Sequence, residues 1–135
     1  MQKLIKLILN SKLLLLFAIF CTFFIVYLSL SDISELPKLE VRYEDKLYHF
    51  VAYFLLTSVW LLALIAYSSK SKEFNKYISF AIVGFGIIIE VFQEIITDYR
   101  LFDVLDILVN ILGVSVAYFC FEYFKESIFE NINSN

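Results

Sequence analysis

The chain has very few of the residues that interrupt helices or build metal and disulfide frameworks. Its 135 residues include three Gly, one Pro, two Cys and one His. Because Gly and Pro interrupt helices, their scarcity favours long, continuous ones. The two cysteines lie in separate apolar stretches, which is not the spacing of a disulfide framework or a metal clip. A single His excludes a multi-His zinc site, so we predict no metal and no cofactor, although carboxylates could still hold Mg²⁺ or Ca²⁺.

Charged residues are also missing over long distances. Hydrophobic residues make up 61% of the chain and the mean hydropathy is +0.79, whereas about 45–50% apolar residues is usual in soluble domains. A helix that crosses a bilayer needs about 20 mostly apolar residues. Four stretches contain no Lys, Arg, Asp or Glu, namely Leu13–Leu30, Tyr48–Tyr67, Tyr77–Ile89 and Ile107–Phe121.

These stretches predict an all-α membrane protein, a single domain over residues 1–135 that forms a bundle of four transmembrane helices. The predicted spans cover residues 12–30, 46–67, 76–97 and 104–124. The first span could instead be a signal peptide, since lysines precede it and a Ser-Leu-Ser site ends it. Signal peptides have apolar cores of about 7–15 residues, and this stretch is longer, so we favour an uncleaved anchor.

The distribution of Lys and Arg predicts the orientation, because cytoplasmic loops are enriched in these residues. Seven lie on the side of the two termini and four on the other side, which predicts cytoplasmic termini and an outward-facing first and third loop in the plasma (inner) membrane. The two groups are Lys3, Lys6, Lys12, Lys70, Lys72, Lys76 and Lys125, against Lys38, Arg42, Lys46 and Arg100.

Polar residues follow helical spacing at the outer ends of the last three spans. Charges at membrane depth usually face a protein interior or a water-filled cavity, so three such stripes on neighbouring helices should converge in one outward-facing pocket. The stripes are Asp45, His49 and Tyr53; Glu90, Gln93, Glu94 and Thr97; and Asp103, Asp106, Asn110 and Gly113.

The carboxylates of this set have two interpretations. They could pair with Lys46, Arg100 and His49 only to hold the bundle together. Five carboxylates facing two fixed cations leave surplus negative charge, however, and an unpaired buried ion costs several kcal/mol. Glu90 and His49 are therefore candidates for acid/base catalysis, and the planar fork of Arg100 suits a carboxylate or phosphate group.

The order of these residues is similar to the signature of VanZ-like membrane proteins. The resemblance implies a small multi-pass protein of a bacterial plasma membrane, in a family whose founding member is associated with teicoplanin resistance. No settled catalytic mechanism comes with the family. The motifs are Asp45-Lys46-x-x-His49-Phe50-x-x-Tyr53, then Glu90-x-x-Gln93, then Arg100-x-x-Asp103-x-x-Asp106-x-x-x-Asn110-x-x-Gly113.

We predict that the pocket binds a lipid-linked or cell-envelope anionic ligand, with the bilayer as the other partner and no nucleic acid. The alternatives are an intramembrane acid/base enzyme, an accessory or scaffold protein and, ranked lowest, a proton-linked transporter. No oligomeric state is predicted. The predicted ligand-binding residues are Asp45, Lys46, His49, Tyr53, Glu90, Gln93, Arg100, Asp103, Asp106 and Asn110.

Overall fold

The computed structural model describes residues 11–31, 44–65, 72–98 and 100–133, and these residues form four helices and no strand. All four helices are long and apolar enough to cross a membrane. The predicted all-α architecture with four helices of membrane-spanning length is therefore confirmed. The helices are α1 (Ser11–Leu30), α2 (Glu44–Ile65), α3 (Lys72–Ile96) and α4 (Val104–Asn133).

Two helices extend beyond their predicted apolar spans. The helix α3 begins at Lys72 rather than at residue 76, and Asn75 in its first turn is buried against α4. The helix α4 continues past residue 124 to Asn133. The predicted end of the second span at Tyr67 lies outside the described residues. So do five of the cations behind the predicted orientation, namely Lys3, Lys6, Lys38, Arg42 and Lys70.

The helix α2 lies at the centre of the bundle, with its most extensive contacts to α4 and further contacts to α1 and α3. The main buried core consists of Tyr53, Leu56, Ile82 and Val114. Large apolar side chains such as Phe23 on α1 are exposed. Because a continuous apolar surface is unusual in a soluble monomer, this exterior suits contact with lipid.

Gly113 sets the distance between α2 and α4. A Cβ atom at this position would lie 2.5 Å from the carbonyl oxygen of Phe50 and 3.1 Å from the backbone nitrogen of Phe54. Small residues let membrane helices approach closely, and here the glycine brings two backbones into contact. The polar residues one to two turns away on both helices therefore face one another directly.

Candidate functional site

Lys46 lies among three carboxylates where α2 and α4 both begin. Its Nζ is 2.9 Å from Asp45 Oδ2, 2.5 Å from Asp103 Oδ2 and 2.6 Å from Asp106 Oδ1. Only 15% of the Lys46 side chain is exposed. An ammonium group has three N–H donors, so these three contacts use all of them. Lys46 therefore joins α2 to α4, and its donors are already occupied.

Asp103 caps the N-terminus of α4 and joins it to α3. Its Oδ1 accepts a hydrogen bond from the N–H of Leu105 (2.8 Å), as expected of an N-cap residue. Its own backbone N–H donates to Glu90 Oε1 at 3.1 Å. The hydrogen bond from the Lys46 ammonium, followed by that from the Leu105 N–H, holds the pKa of the Asp103 carboxyl below its usual value.

His49 faces two polar residues of α4, one with each ring nitrogen. Its Nδ1 lies 3.1 Å from Asn110 Oδ1, and its Nε2 lies 3.6 Å from Asp106 Oδ2. If Nδ1 carries the proton and donates it to the amide oxygen, Nε2 keeps its lone pair toward Asp106. The amide nitrogen of Asn110 is buried and has no hydrogen-bond partner in the described part of the chain.

Glu90 brings α3 into the same group of residues. Its side chain is 2% exposed, and Oε2 has no hydrogen-bond partner among the described residues. The charges of Asp106, His49 and Arg100 act on it electrostatically. A buried polar atom without a partner destabilises the folded protein. No described residue offers a hydrogen bond that would offset this cost at Glu90 Oε2. We call the whole set the ionic cluster, which consists of Asp45, Lys46, His49, Glu90, Asp103, Asp106 and Asn110.

Three other predicted site residues lie around the ionic cluster rather than in it. Gln93 is buried, and its amide Nε2 donates to the Ser29 carbonyl oxygen at the end of α1 (2.9 Å), which ties α3 to α1. Tyr53 is buried in the hydrophobic core, with its ring centroid 6.4 Å from that of Phe85. Arg100 is half-buried and forms no ion pair with any residue that the structure describes.

Arg100 was one of the cations with which the carboxylates of the polar stripes could pair, and the nearest of these in sequence are Glu94, Asp103 and Asp106. Asp103 and Asp106 bind Lys46 instead, and Glu94 is exposed on α3. Arg100 therefore has no ion-pair partner among the residues that the structure describes, and its charge acts on Glu90.

The ionic cluster also contains a set of metal-ligand types. One ligand atom from each of His49, Glu90 and Asp106 lies within 4.8 Å of the other two. An imidazole with two carboxylates is a chemically reasonable donor set for a divalent ion. The convergence of the three stripes that carry these residues was predicted from the sequence, whereas a metal-ligand set was not, since no metal was predicted.

A second polar group, which was not predicted from the sequence, lies at the opposite end of the bundle. Glu122 of α4 accepts hydrogen bonds from Asn75 of α3 and from Lys125, both at 2.7 Å. The Tyr118 hydroxyl is buried nearby on α4 without a hydrogen-bond partner in the described ranges. The spacing of Tyr118, Glu122 and Lys125 follows one helix face and was the available signal.

An apolar groove lies in the middle of the bundle between α1, α2 and α3. It has a volume of about 240 Å³. Trp60 at its wall donates from Nε1 to Thr22 Oγ1 at 3.0 Å. The groove is lined by Thr22, Leu56, Trp60, Ile78, Ile82 and Phe85. Phe85 in the groove wall packs against Tyr53, which lies one turn along α2 from His49.

Comparison with known proteins agrees with the family resemblance that the sequence motifs indicated. The family model described as VanZ/LLP1 matches residues 5–125. A Schizosaccharomyces pombe protein named "Uncharacterized protein C11E3.10" is 36% identical over 95 residues, which cover 70% of this chain and 57% of the yeast protein. The chain thus spans little more than half the length of that relative. No solved structure matches the chain.

Proposed function

The chain belongs to the VanZ/LLP1 family, and on that basis we propose that its ionic cluster, with Arg100, binds the anionic head group of a membrane lipid. The observation that carries this proposal is the set of buried polar atoms without partners. Glu90 Oε2 and Asn110 Nδ2 both lack a hydrogen-bond partner in the described structure. Since native proteins leave few such atoms, the unpartnered donor of Asn110 favours a bound acceptor such as a phosphate oxygen. The unpartnered acceptor of Glu90 favours a bound hydroxyl group or cation beside it.

Arg100 supplies the positive charge in this proposal. It belongs to no ion pair among the described residues and lies within electrostatic reach of Glu90. A guanidinium binds phosphate through two parallel N–H donors. Lys46, which was also predicted to bind the ligand, is a weaker candidate for contacting the anion than Arg100, because its three donors already bind carboxylates. Gln93 bonds to α1, so Asn110 is the better candidate for orienting the head group.

The groove between α1, α2 and α3 supports an amphiphilic ligand. Its apolar walls and its volume of about 240 Å³ suit part of a hydrocarbon chain. A lipid with its head group at the ionic cluster would place its first carbons near Tyr53 and Phe85. The excess of Lys and Arg on the side of the termini favours an outward-facing ionic cluster, which in this proposal lies at the outer leaflet of the plasma membrane.

Polyprenyl phosphates are the lipid class that we favour. They carry cell-wall precursors in bacteria, so binding them would link the protein to glycopeptide susceptibility, the trait associated with the founding member of the family. The relative in a yeast favours a ligand that organisms without peptidoglycan also make, and polyprenyl phosphates meet that condition.

Native mass spectrometry of the full chain in detergent tests this proposal. We expect wild-type protein to retain a polyprenyl phosphate and not the corresponding polyprenol, which has the same tail and no charge. Arg100→Ala should lower retention about tenfold or more, whereas Lys76→Ala, at an exposed cation on the other end of the bundle, should leave it unchanged. Equal retention by Arg100→Ala, or equal binding of the alcohol, would contradict the proposal.

A second candidate function is hydrolysis of a lipid phosphoanhydride, with Glu90 and His49 as acid and base. The observation that favours it is that both residues present an atom to the same space beside Asp106. This function predicts release of inorganic phosphate from a polyprenyl diphosphate by purified protein. The release should be lost in Glu90→Gln while retention of the lipid persists. No release above a protein-free control would eliminate this candidate.

A further inference from the structure

Each of three residues in the ionic cluster has one polar atom engaged and one left over. Asp106 binds Lys46 through Oδ1 and turns Oδ2 toward His49. Glu90 accepts the N–H of Asp103 through Oε1, and no described residue bonds to its Oε2. His49 contacts Asn110 through Nδ1, which leaves Nε2. The engaged atoms hold the side chains in place, and one ligand atom from each of the three residues lies within 4.8 Å of the other two.

The distances fit a shared ion. Nitrogen and oxygen ligands lie about 2.0–2.2 Å from a transition-metal ion, so two ligands in tetrahedral geometry are about 3.4 Å apart. His49 Nε2 and Asp106 Oδ2 are 3.6 Å apart, and the ligand atoms of all three residues lie within 4.8 Å of one another. A side-chain shift of roughly 1.4 Å closes the widest gap.

Charge favours a divalent ion over a proton. The ionic cluster holds four carboxylates and one ammonium group, so its ionised form carries a formal surplus of three negative charges. Protonation of His49 would supply one positive charge, and a divalent ion supplies two. Asp45 and Asp103 are partly exposed, so water screens part of this surplus. The ion therefore compensates mainly the buried carboxylates of Glu90 and Asp106, which are stable as charges only when they are paired.

We propose that His49, Glu90 and Asp106 bind one divalent transition-metal ion, of the Mn²⁺ or Zn²⁺ class. The imidazole nitrogen selects against Ca²⁺ and Mg²⁺, which prefer oxygen ligands. Asn110 Oδ1 and Lys46 hold the His49 ring and the Asp106 carboxylate from behind, as the outer partners of metal ligands do. Three protein ligands leave at least one coordination position for water or a phosphate oxygen.

This site does not rest on the proposed lipid ligand, so it is tested without lipid. The full chain in detergent is stripped with a chelator, dialysed and titrated with Mn²⁺ and with Zn²⁺ in a calorimeter at neutral pH. We expect one ion per chain. Glu90→Gln and His49→Gln should each weaken binding at least tenfold. Glu94→Gln, which alters an exposed carboxylate one turn along α3, should bind as wild type does.

The identity of the ligands has its own readout. Pulsed electron paramagnetic resonance of the Mn²⁺-loaded protein should show coupling to a ¹⁴N nucleus, and this coupling should vanish in His49→Gln. Asn110→Ala keeps all three ligands and should weaken binding about 10–100-fold with unchanged stoichiometry. Circular dichroism establishes that each variant is folded. Three results would overturn the proposal, namely no stoichiometric ion on wild type, wild-type affinity in Glu90→Gln, or ¹⁴N coupling that persists without His49.

Discussion

Lys46 of α2 and Asp106 of α4 form a mostly buried ion pair, with Nζ 2.6 Å from Oδ1 and side-chain exposures of 15% and 10%. The second carboxylate oxygen of Asp106 faces His49. One carboxylate therefore belongs both to the contact that joins the helices and to the candidate ion site. A substitution of Asp106 should therefore affect both the stability of the bundle and the binding of an ion.

Lys46→Met should destabilise the protein strongly. Removing one partner of a buried ion pair leaves an uncompensated charge and costs about 3–5 kcal/mol. Asp45 and Asp103 are partly exposed, so we expect a loss at the low end of that range, about 3 kcal/mol, measured by denaturant titration in mild detergent. The control is Lys76→Met, which removes an exposed cation paired with Glu73. An equal loss in both variants would contradict the central position of Lys46.

Gly113→Ala should also destabilise the bundle. The added Cβ would lie 2.5 Å from the Phe50 carbonyl oxygen, so α2 and α4 must separate, at a cost of about 1–3 kcal/mol. The measurement is the same titration, together with the Trp60 fluorescence as a monitor of packing.

Gly84→Ala is the matched control for this prediction. A Cβ atom at Gly84 meets no heavy atom within 4 Å, and alanine favours helix over glycine by about 0.5–1 kcal/mol. We therefore expect this variant to be as stable as wild type or slightly more so. If Gly113→Ala behaved in the same way, the close contact between α2 and α4 would be wrong.

The four helices were predictable because each contains a continuous apolar run of membrane-spanning length. Their extensions were not, because Asn75 pairs with Glu122 across forty-seven positions of sequence. The proximity of His49 to Asp106 followed from placing polar residues at one depth. The pairing of the Lys46 ammonium with three carboxylates was not predictable. It depends on how α2 and α4 are rotated about their axes, and residue spacing along one helix does not specify that rotation.

The residues of α3 illustrate the same limit. Gln93 and Glu94 are neighbours, and both lie within one turn of Glu90, so the sequence analysis placed them in one stripe. The buried face of α3 includes Glu90 and Gln93, whereas Glu94 is exposed. Since consecutive residues are about 100° apart around a helix, one of the two neighbours must leave a narrow buried stripe. Gln93 is the buried one of the two, and its side chain donates a hydrogen bond to the Ser29 carbonyl oxygen of α1.

Acid should weaken the bundle through Asp103. The Lys46 ammonium and the Leu105 N–H lower the pKa of this carboxyl below 3.8 in the folded state. The folded protein therefore binds fewer protons here than the unfolded chain, and the stabilisation is complete above about pH 4 and is lost as the pH falls through the folded pKa. Melting temperatures between pH 6 and pH 3 measure the effect.

Asp103→Asn should flatten this acid limb of the stability curve and lower the melting temperature at pH 6. Asp98→Asn, at an exposed carboxylate in the same connection between α3 and α4, is the control and should retain the acid limb. Identical pH profiles for wild type and Asp103→Asn would show that the contact between Asp103 and Lys46 does not contribute to stability.

Glu90→Gln separates a functional role for the ionic cluster from a purely structural one. The glutamine keeps the oxygen that accepts the Asp103 N–H and removes a buried charge with no paired partner at Oε2. We expect the lipid-free, metal-free variant to be as stable as wild type or about 1 kcal/mol more stable, and to lose ion binding. Stability at a site is often given up for function. If Glu90 served only to hold α3 to α4 through the Asp103 N–H, a bond that glutamine can still accept, the variant would bind ions with wild-type affinity.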